Sequence, residues 1–310
     1  MKFWVGVTDN NWYKFLANSN PDEVNFWQPS ATPPFTGAPM GLPFLFKLKR
    51  PYNHIAGGGF FVTYSSLPLH LAWEVFGTKN GCASLDDLSN MIKNLTSNNR
   101  SENKIGCTVL ANPFFFDPTT WIPDPPGWAS SIVRGKMYNT NDGDGAAIWN
   151  NVNARSKSFQ TENNQIDRLN IVAEPIDKYG SPITVRPRLG QSSFRVLVTD
   201  AYQRRCAITG ERTLMTLEAA HIVPYAEDGI HDVRNGLLLR ADFHRLFDAG
   251  LVSVTPELKI KISKRIKEEW FNGQAYYRLD DKPLSVVPVH SSMRPDPECL
   301  DWHYRNKFQA

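Results

Sequence analysis

The pattern of apolar and polar positions changes character along the chain, and each change predicts an element. Met1 to Asp9 reads as a strand that starts at once. Short apolar runs follow, such as Phe44-Leu45-Phe46-Lys47-Leu48 and Gly106-Cys107-Thr108-Val109-Leu110, set among many Trp, Phe, Gly and Pro residues. Turn-rich spacing of this kind favours a small β-barrel up to about Asn150. Ser84 to Ile92 carries apolar residues at helical spacing behind a Ser that can cap a helix, and Asn10 to Leu16 is a second short helix, so the barrel is expected to carry helices on its rim.

From Asn151 to about Gln191 the apolar pattern weakens, and Arg155, Lys157, Arg168, Pro182 and Pro187 mark a connecting region with room for a helix around Thr161 to Ile171. Ser193 to Tyr202 then reads as a helix with Phe194, Leu197 and Val198 on one face. Beyond it the spacing predicts a strand over Leu217 to Val223 ending at Pro224, a polar turn over Tyr225 to Asp232, and a returning strand over Asn235 to Leu239. A helix follows over Arg240 to Ala249, stopped by Gly250. Pro297 to Arg305 is a closing helix expected to pack Leu300, Trp302 and Tyr304 on the core. This gives an α+β chain divided as 1–150, a linker over 151–190, and 191–310.

At 310 residues, with 41% hydrophobic and 21% charged, the chain has room for two ordinary domains, each with its own core. No apolar run of membrane-spanning length occurs, and the opening strand lacks the apolar core of a signal peptide, which implies a soluble cytoplasmic protein with no membrane partner. Cys82, Cys107, Cys206 and Cys299 form no Cys-x-x-Cys pair, so buried thiols are expected rather than a disulfide framework. The net charge of +3 belongs wholly to the C-terminal part, because residues 1–185 hold 15 basic and 15 acidic side chains. There Arg186, Arg188, Arg195, Arg204, Arg205 and Arg212 face only Asp200 and Glu211 in sequence, a local bias suited to phosphate contact or simply to a solvated surface.

The predicted strand, turn, strand and helix carry three polar residues inside apolar flanks: Ala219-Ala220-His221-Ile222-Val223-Pro224, Arg234-Asn235-Gly236-Leu237-Leu238-Leu239, and His244-Arg245-Leu246-Phe247-Asp248-Ala249-Gly250-Leu251. This order and spacing resembles the HNH nuclease motif, a ββα unit built around one metal ion. The resemblance implies phosphodiester hydrolysis, which needs a water stripped of its proton and positive charge at the departing 3′ oxygen. His221 is then the general base, suited by an imidazole that titrates near neutral pH. His244 ligates the metal, and the Asn235 amide bridges the hairpin turn and holds the base in place. Where many family members carry Asp or His before the base, this chain has Ala220, so a second ligand must come from Glu218, on the same strand face, or from Asp248, one helical turn after His244, which is preferred although it also reads as a carboxylate tied to the Gly250-Leu251 turn. Mixed nitrogen and oxygen donors suit Mg²⁺ or Mn²⁺. Cys206-Ala207-Ile208-Thr209-Gly210 resembles relatives with a zinc-binding Cys-x-x-Cys, but Thr209 occupies the second place and no structural zinc is expected. Arg204, Arg205, Arg234 and Arg245 are the candidates for the DNA backbone. His231 lies in the turn near the expected scissile phosphate, whereas His290 and His303 read as ordinary polar residues.

A second resemblance covers Phe3 to Phe76. Asn25-Phe26-Trp27-Gln28, Gly41-Leu42-Pro43-Phe44-Leu45-Phe46 and Ile55-Ala56-Gly57-Gly58-Gly59 follow the order of segments in EVE domains of the PUA superfamily. Those domains resemble SRA domains, which capture modified bases, and the fold implied is a PUA-like barrel. EVE domains usually show Asn-Tyr-Gln where this chain has one residue more. A pocket that reads one base pulls it from the duplex, stacks it on aromatic faces and bonds its Watson–Crick edge. Trp27 and Trp73 are the stacking candidates, Asn25 and Gln28 the edge-bonding ones, and Gly57 to Gly59 a close backbone approach; the alternative places both Trp residues in the core.

Together the two resemblances imply a modification-dependent restriction endonuclease that flips a modified cytosine out of double-stranded DNA and cuts with its HNH unit. One such site cuts one strand, which points to a symmetric homodimer for a double-strand break. Two alternatives stand beside it: an HNH nuclease whose N-terminal domain reads RNA or ordinary sequence, and a DNA-binding protein that has lost its metal.

Overall fold

The computed structural model describes residues 1–95, 104–125, 127–162, 187–227 and 229–310. The chain separates into two compact units, Met1–Arg188 and Leu189–Ala310. No helix among the described residues is long and apolar enough to cross a membrane.

The first unit is a seven-stranded sheet with helices. Its strands are β1 (Lys2–Thr8), β2 (Glu23–Gln28), β3 (Pro43–Leu48), β4 (His54–Pro68), β5 (Lys104–Phe115), β6 (Ile122–Pro123) and β7 (Gly135–Asn139). The order is β2-β5-β4-β3-β1-β7, with β6 on β4. Strands β1 and β3 run parallel and the other pairs antiparallel. Among the described residues β2 and β7 do not pair, so the sheet is open, and the barrel expected from turn-rich spacing is not closed. Long β4 shifts register against β3 and β5, and such bulges bend a sheet without closing it.

Helices α1 (Asn10–Ser19), α2 (Leu69–Phe76), α3 (Leu85–Leu95) and α4 (Gly143–Glu162) also belong to this unit. Helix α1 starts where the Asp9 carboxylate accepts the backbone N–H groups of Asn11 and Trp12, and α3 where the Ser84 hydroxyl accepts that of Asp87. Trp12 buries its ring edge-on between Phe26 and Phe46, and Phe44, Leu48 and Leu110 fill the same core. Helix α4 runs through position 150, where a linker is expected to begin. The helix expected over Thr161 to Ile171 lies outside the described residues past Glu162.

The second unit opens with α5 (Gln191–Ala201) and the antiparallel hairpin of β8 (Leu217–His221) and β9 (Gly236–Arg240), followed by α6 (Ala241–Asp248). A second hairpin of β10 (Val252–Val254) and β11 (Ile260–Ile262), short helices α7 (Arg265–Trp270) and α8 (Gln274–Tyr277), and α9 (Pro297–Asn306) follow. The run Leu237-Leu238-Leu239 is buried on both faces of β9, and Phe243, Phe247, Val252, Ile260 and Leu300 pack around it. Gly250 ends α6 with φ +69°, and a Cβ there would meet the Lys307 carbonyl at 2.0 Å, so the chain beyond α9 closes over this turn. Trp302 and Tyr304 are only half-buried; His303, read from sequence as an ordinary polar residue, takes the core position beside Leu300.

Candidate active site

The hairpin β8–β9 and helix α6 bring His221, Asn235 and His244 to one side of the second unit. His221 closes β8 opposite Gly236, and His244 sits one turn into α6. Both line a cleft of about 360 Å³ together with Phe194, Arg195, Tyr225, Asp248 and Lys307. The two histidines that the motif requires to converge therefore share one opening.

Asn235 is 3% exposed and ties the hairpin turn by three bonds. Its amide donates to the carbonyls of Val223 at 3.0 Å and Ile230 at 3.1 Å, and its oxygen accepts the Val223 N–H at 2.9 Å. A turn of this length leaves backbone groups without strand partners, and one buried amide satisfies three of them. This fixes the chain immediately after His221.

The His221 ring stacks on Phe194 of α5, with centroids 3.9 Å apart and planes 10° apart. Gly236 makes that possible: a Cβ there would sit 2.4 Å from Val198 and 3.0 Å from the Phe194 ring. His221 Nε2 lies 3.0 Å from Nδ1 of His231, whose own ring stacks on Tyr225. Burial first, and then the neighbouring His231 and His244, lower the His221 pKa to about 4. The ring is thus neutral and holds a lone pair able to take a proton, but as a weaker base than the near-neutral imidazole expected from sequence, because burial disfavours its charged form.

On α6, His244 Nδ1 lies 2.6 Å from Glu218 of β8, and Nε2 lies 3.4 Å from Asp248. Both candidate second ligands therefore reach His244, and Glu218 is the closer. One imidazole and two carboxylates form a donor set whose chemistry suits a divalent ion. The carboxylates meet opposite nitrogens of the ring, however, and among the described residues no three His, Cys, Asp or Glu side chains stand in a ligating arrangement. An ion would have to draw at least one carboxylate off the imidazole.

Cys206 is fully buried, and its sulfur accepts the backbone N–H groups of Thr209 at 3.4 Å and Arg240 at 3.3 Å. The turn that resembles half of a zinc site is thus tied to the end of β9 by hydrogen bonds to sulfur.

The backbone-contact candidates are dispersed. Arg204 pairs with Asp200 at 3.2 Å and Arg234 with Asp296, so these two already hold carboxylates. Arg205 is half-buried, with a buried Nε that has no partner among the described residues. Arg245 is exposed on α6. The cations that line the cleft are Arg195, part of the basic run noted in sequence, and Lys307, whose ammonium also pairs with Glu227 at 3.5 Å. Nothing local in the sequence singles out Lys307, because it reaches the cleft only through the packing of α9.

In the first unit two of the base-pocket candidates, Asn25 and Trp27, meet at Asn80, whereas Gln28 lies on the other face of the strand. Asn25 is fully buried and donates to Asn80 Oδ1 at 2.9 Å and Cys107 Sγ at 3.4 Å. Gln28, three residues along the same strand and so on its other face, donates to the carbonyls of Ser30 and Thr32. Trp27 is half-buried and donates from Nε1 to the Asn80 carbonyl at 2.9 Å, and Trp73 is half-buried on α2. The glycines expected to admit a nucleotide instead admit neighbouring strands: a Cβ on Gly57 would lie 2.2 Å from the Phe114 carbonyl, and one on Gly58 2.6 Å from that of Phe44.

A hairpin and a helix thus present two histidines to one cleft, braced by an asparagine, in a ββα arrangement. Residues 206–255 match the family model described as HNH endonuclease, so the chain carries an HNH endonuclease domain there. Comparison with curated proteins gives no match. Among solved structures the chain is similar to a mutant of ZmASCH from Zymomonas mobilis, with 8% identity, TM-score 0.31, and coverage of 47% of this chain and 96% of that one. It is also similar to the modification-dependent TagI restriction endonuclease, with 13% identity, TM-score 0.29, and coverage of 93% and 76%. Likeness this distant transfers neither protein's activity to this chain.

Proposed function

We propose that the chain is a metal-dependent, modification-dependent DNA endonuclease, in which the C-terminal unit hydrolyses the phosphodiester bond and the N-terminal unit selects DNA carrying modified cytosine. The observation that carries the nuclease half is the shared cleft of His221 and His244, with Glu218 and Asp248 within reach of the second histidine. The selective half rests on the resemblance of Phe3 to Phe76 to base-reading domains, with Trp27 and Trp73 as the aromatic faces for a flipped base.

In this reading neutral His221 takes a proton from the attacking water. Asn235 holds the backbone beyond it, and Phe194 holds its ring. Arg195 and Lys307 hold the phosphate at the rim of the cleft, with Arg245 on the outer face of α6. A divalent ion held by His244 with Glu218 or Asp248 would supply charge stabilisation to the departing 3′ oxygen.

The deciding experiment is digestion of one plasmid in unmodified, methylated and hydroxymethylated forms, with Mg²⁺ or Mn²⁺ and with chelator. Metal-dependent cleavage of a modified form alone is the expected result. Equal cleavage of all forms would reassign the N-terminal unit to ordinary sequence or RNA. No cleavage of any form, with DNA still bound, would make the chain a binding protein.

A further inference from the structure

His231 is the one titratable side chain in hydrogen-bond contact with His221 among the described residues, and the mechanism above gives it no part. A neutral imidazole has one N–H and one lone pair, so whichever nitrogen carries the hydrogen decides where the ring can accept a proton. His221 Nε2 faces His231 Nδ1 at 3.0 Å, while Nδ1 of His221 has no hydrogen-bond partner among the described residues. If the shared hydrogen sits on His221, that ring is the Nε2–H tautomer and its Nδ1 lone pair is available to water. If the hydrogen sits on His231, His221 carries its own N–H on Nδ1 and cannot act as a base there. The pair thus has a competent and an incompetent arrangement of one hydrogen.

Both rings are clamped. Phe194 lies flat against His221 at 3.9 Å and 10°, and Tyr225 lies flat against His231 at 4.8 Å and 14°. A partial turn of either imidazole breaks its stack, and a 180° flip keeps the stack but replaces the facing nitrogen by carbon and so breaks the contact between the rings. We infer that His231 is a positioning residue for the nuclease reaction: it accepts the His221 Nε2–H and thereby fixes His221 in the tautomer whose Nδ1 lone pair meets the attacking water. This rests on the nuclease reading, and the tautomer itself can be read without any cleavage.

The test uses the full chain, labelled with ¹⁵N and free of metal, in wild-type, His231→Phe and His231→Asn forms. Phe keeps a ring against Tyr225 but no polar atom, whereas Asn places an amide near the position of Nδ1. Long-range ¹H–¹⁵N correlation should show wild-type His221 with its hydrogen on Nε2 alone, and His231→Phe with a mixture of tautomers. A wild-type His221 protonated on Nδ1, or an unchanged single tautomer in His231→Phe, overturns the assignment. In the cleavage assay His231→Phe should lose about 10- to 100-fold in kcat, a substantial part of what a general base contributes, with KM within about twofold of wild type. His231→Asn should recover most of that loss. Wild-type kcat in the Phe variant, or an equal kcat loss in both variants, also overturns it. If the Phe variant does not fold, a comparison of His231→Ala with His231→Asn gives the same contrast. Wild-type protein that cuts no DNA with any metal removes the nuclease reading instead and leaves the tautomer result standing.

Discussion

His244 is gripped from both sides, by Glu218 at 2.6 Å and Asp248 at 3.4 Å, and the two carboxylates are not equivalent. Glu218 projects from the strand that carries His221, whereas Asp248 sits on the helix of His244 itself, so only Glu218 ties the two halves of the motif together. Glu218→Gln is therefore expected to raise the metal concentration needed for half-maximal cleavage by about 10-fold or more, and Asp248→Asn by less, taking the usual loss for a weakened ligand set. A titration of cleavage against Mn²⁺ measures both. His244→Ala should abolish cleavage and leave DNA binding nearly intact, because it removes a ligand and no phosphate contact; gel shift and plasmid digestion together decide this. His303 bears on stability rather than chemistry. Its Nε2–H donates to the Phe247 carbonyl and its Nδ1 lies 2.9 Å from Ser253 Oγ, a neutral arrangement, and burial lowers its pKa to about 4. The unfolded chain takes up a proton near pH 6.5, so between about 6.5 and 4 the unfolded state binds more protons and stability falls with falling pH. One such group gives a slope of at most about 1.4 kcal/mol per pH unit. His303→Gln should flatten the urea-unfolding free energy of the C-terminal unit across that window and leave it without the same pH benefit above it.

The hairpin and α6 were legible because their signals are local. An apolar run interrupted by His221, a turn-forming stretch, the Leu237-Leu238-Leu239 run and Gly250 after Ala249 each constrain backbone within a few residues. The roles of Phe194 and Gly236 were not legible, since a stack between α5 and the end of β8 depends on packing across some thirty residues of chain. The same limit explains the first unit: β1, α1, β3 and α3 follow from local pattern, but closure of a barrel depends on whether β2 meets β7, and no short window carries that. At this scale Asn235→Ala should cost about 3 kcal/mol of stability, because it leaves the Val223 N–H and the Val223 and Ile230 carbonyls without their side-chain partner. Chemical denaturation reads this directly. Gly236→Ala, which drives a methyl into Val198 and Phe194, should lower kcat along with stability, because it displaces the plate beneath His221.

In the whole chain two units each have their own core, and the proposed function assigns chemistry to one and selection to the other. Trp27→Phe keeps an apolar ring but removes the N–H that meets the Asn80 carbonyl and much of the aromatic face. Its expected effect is a fall in the ratio of cleavage rates on modified and unmodified DNA, with the rate on a permissive substrate changed less. Equal loss on both would return Trp27 to the core. That His221 and His244 share a cleft could be read in advance because one motif brings them together within 24 residues of sequence, whereas the faces taken by Asn25 and Gln28 were not anticipated. Asn25 and Gln28 look adjacent in sequence, yet strand alternation sends them to opposite faces, and Asn25 is committed to Asn80 and Cys107. The sulfur of Cys206, which accepts two backbone N–H groups, has a practical outcome for the whole molecule. The knuckle is tied to β9 by the polypeptide's own bonds, so chelator is expected to silence cleavage and to lower the melting temperature only by what the ion at His244 adds through binding the folded state, and one apo preparation can be charged in turn with different ions to rank them.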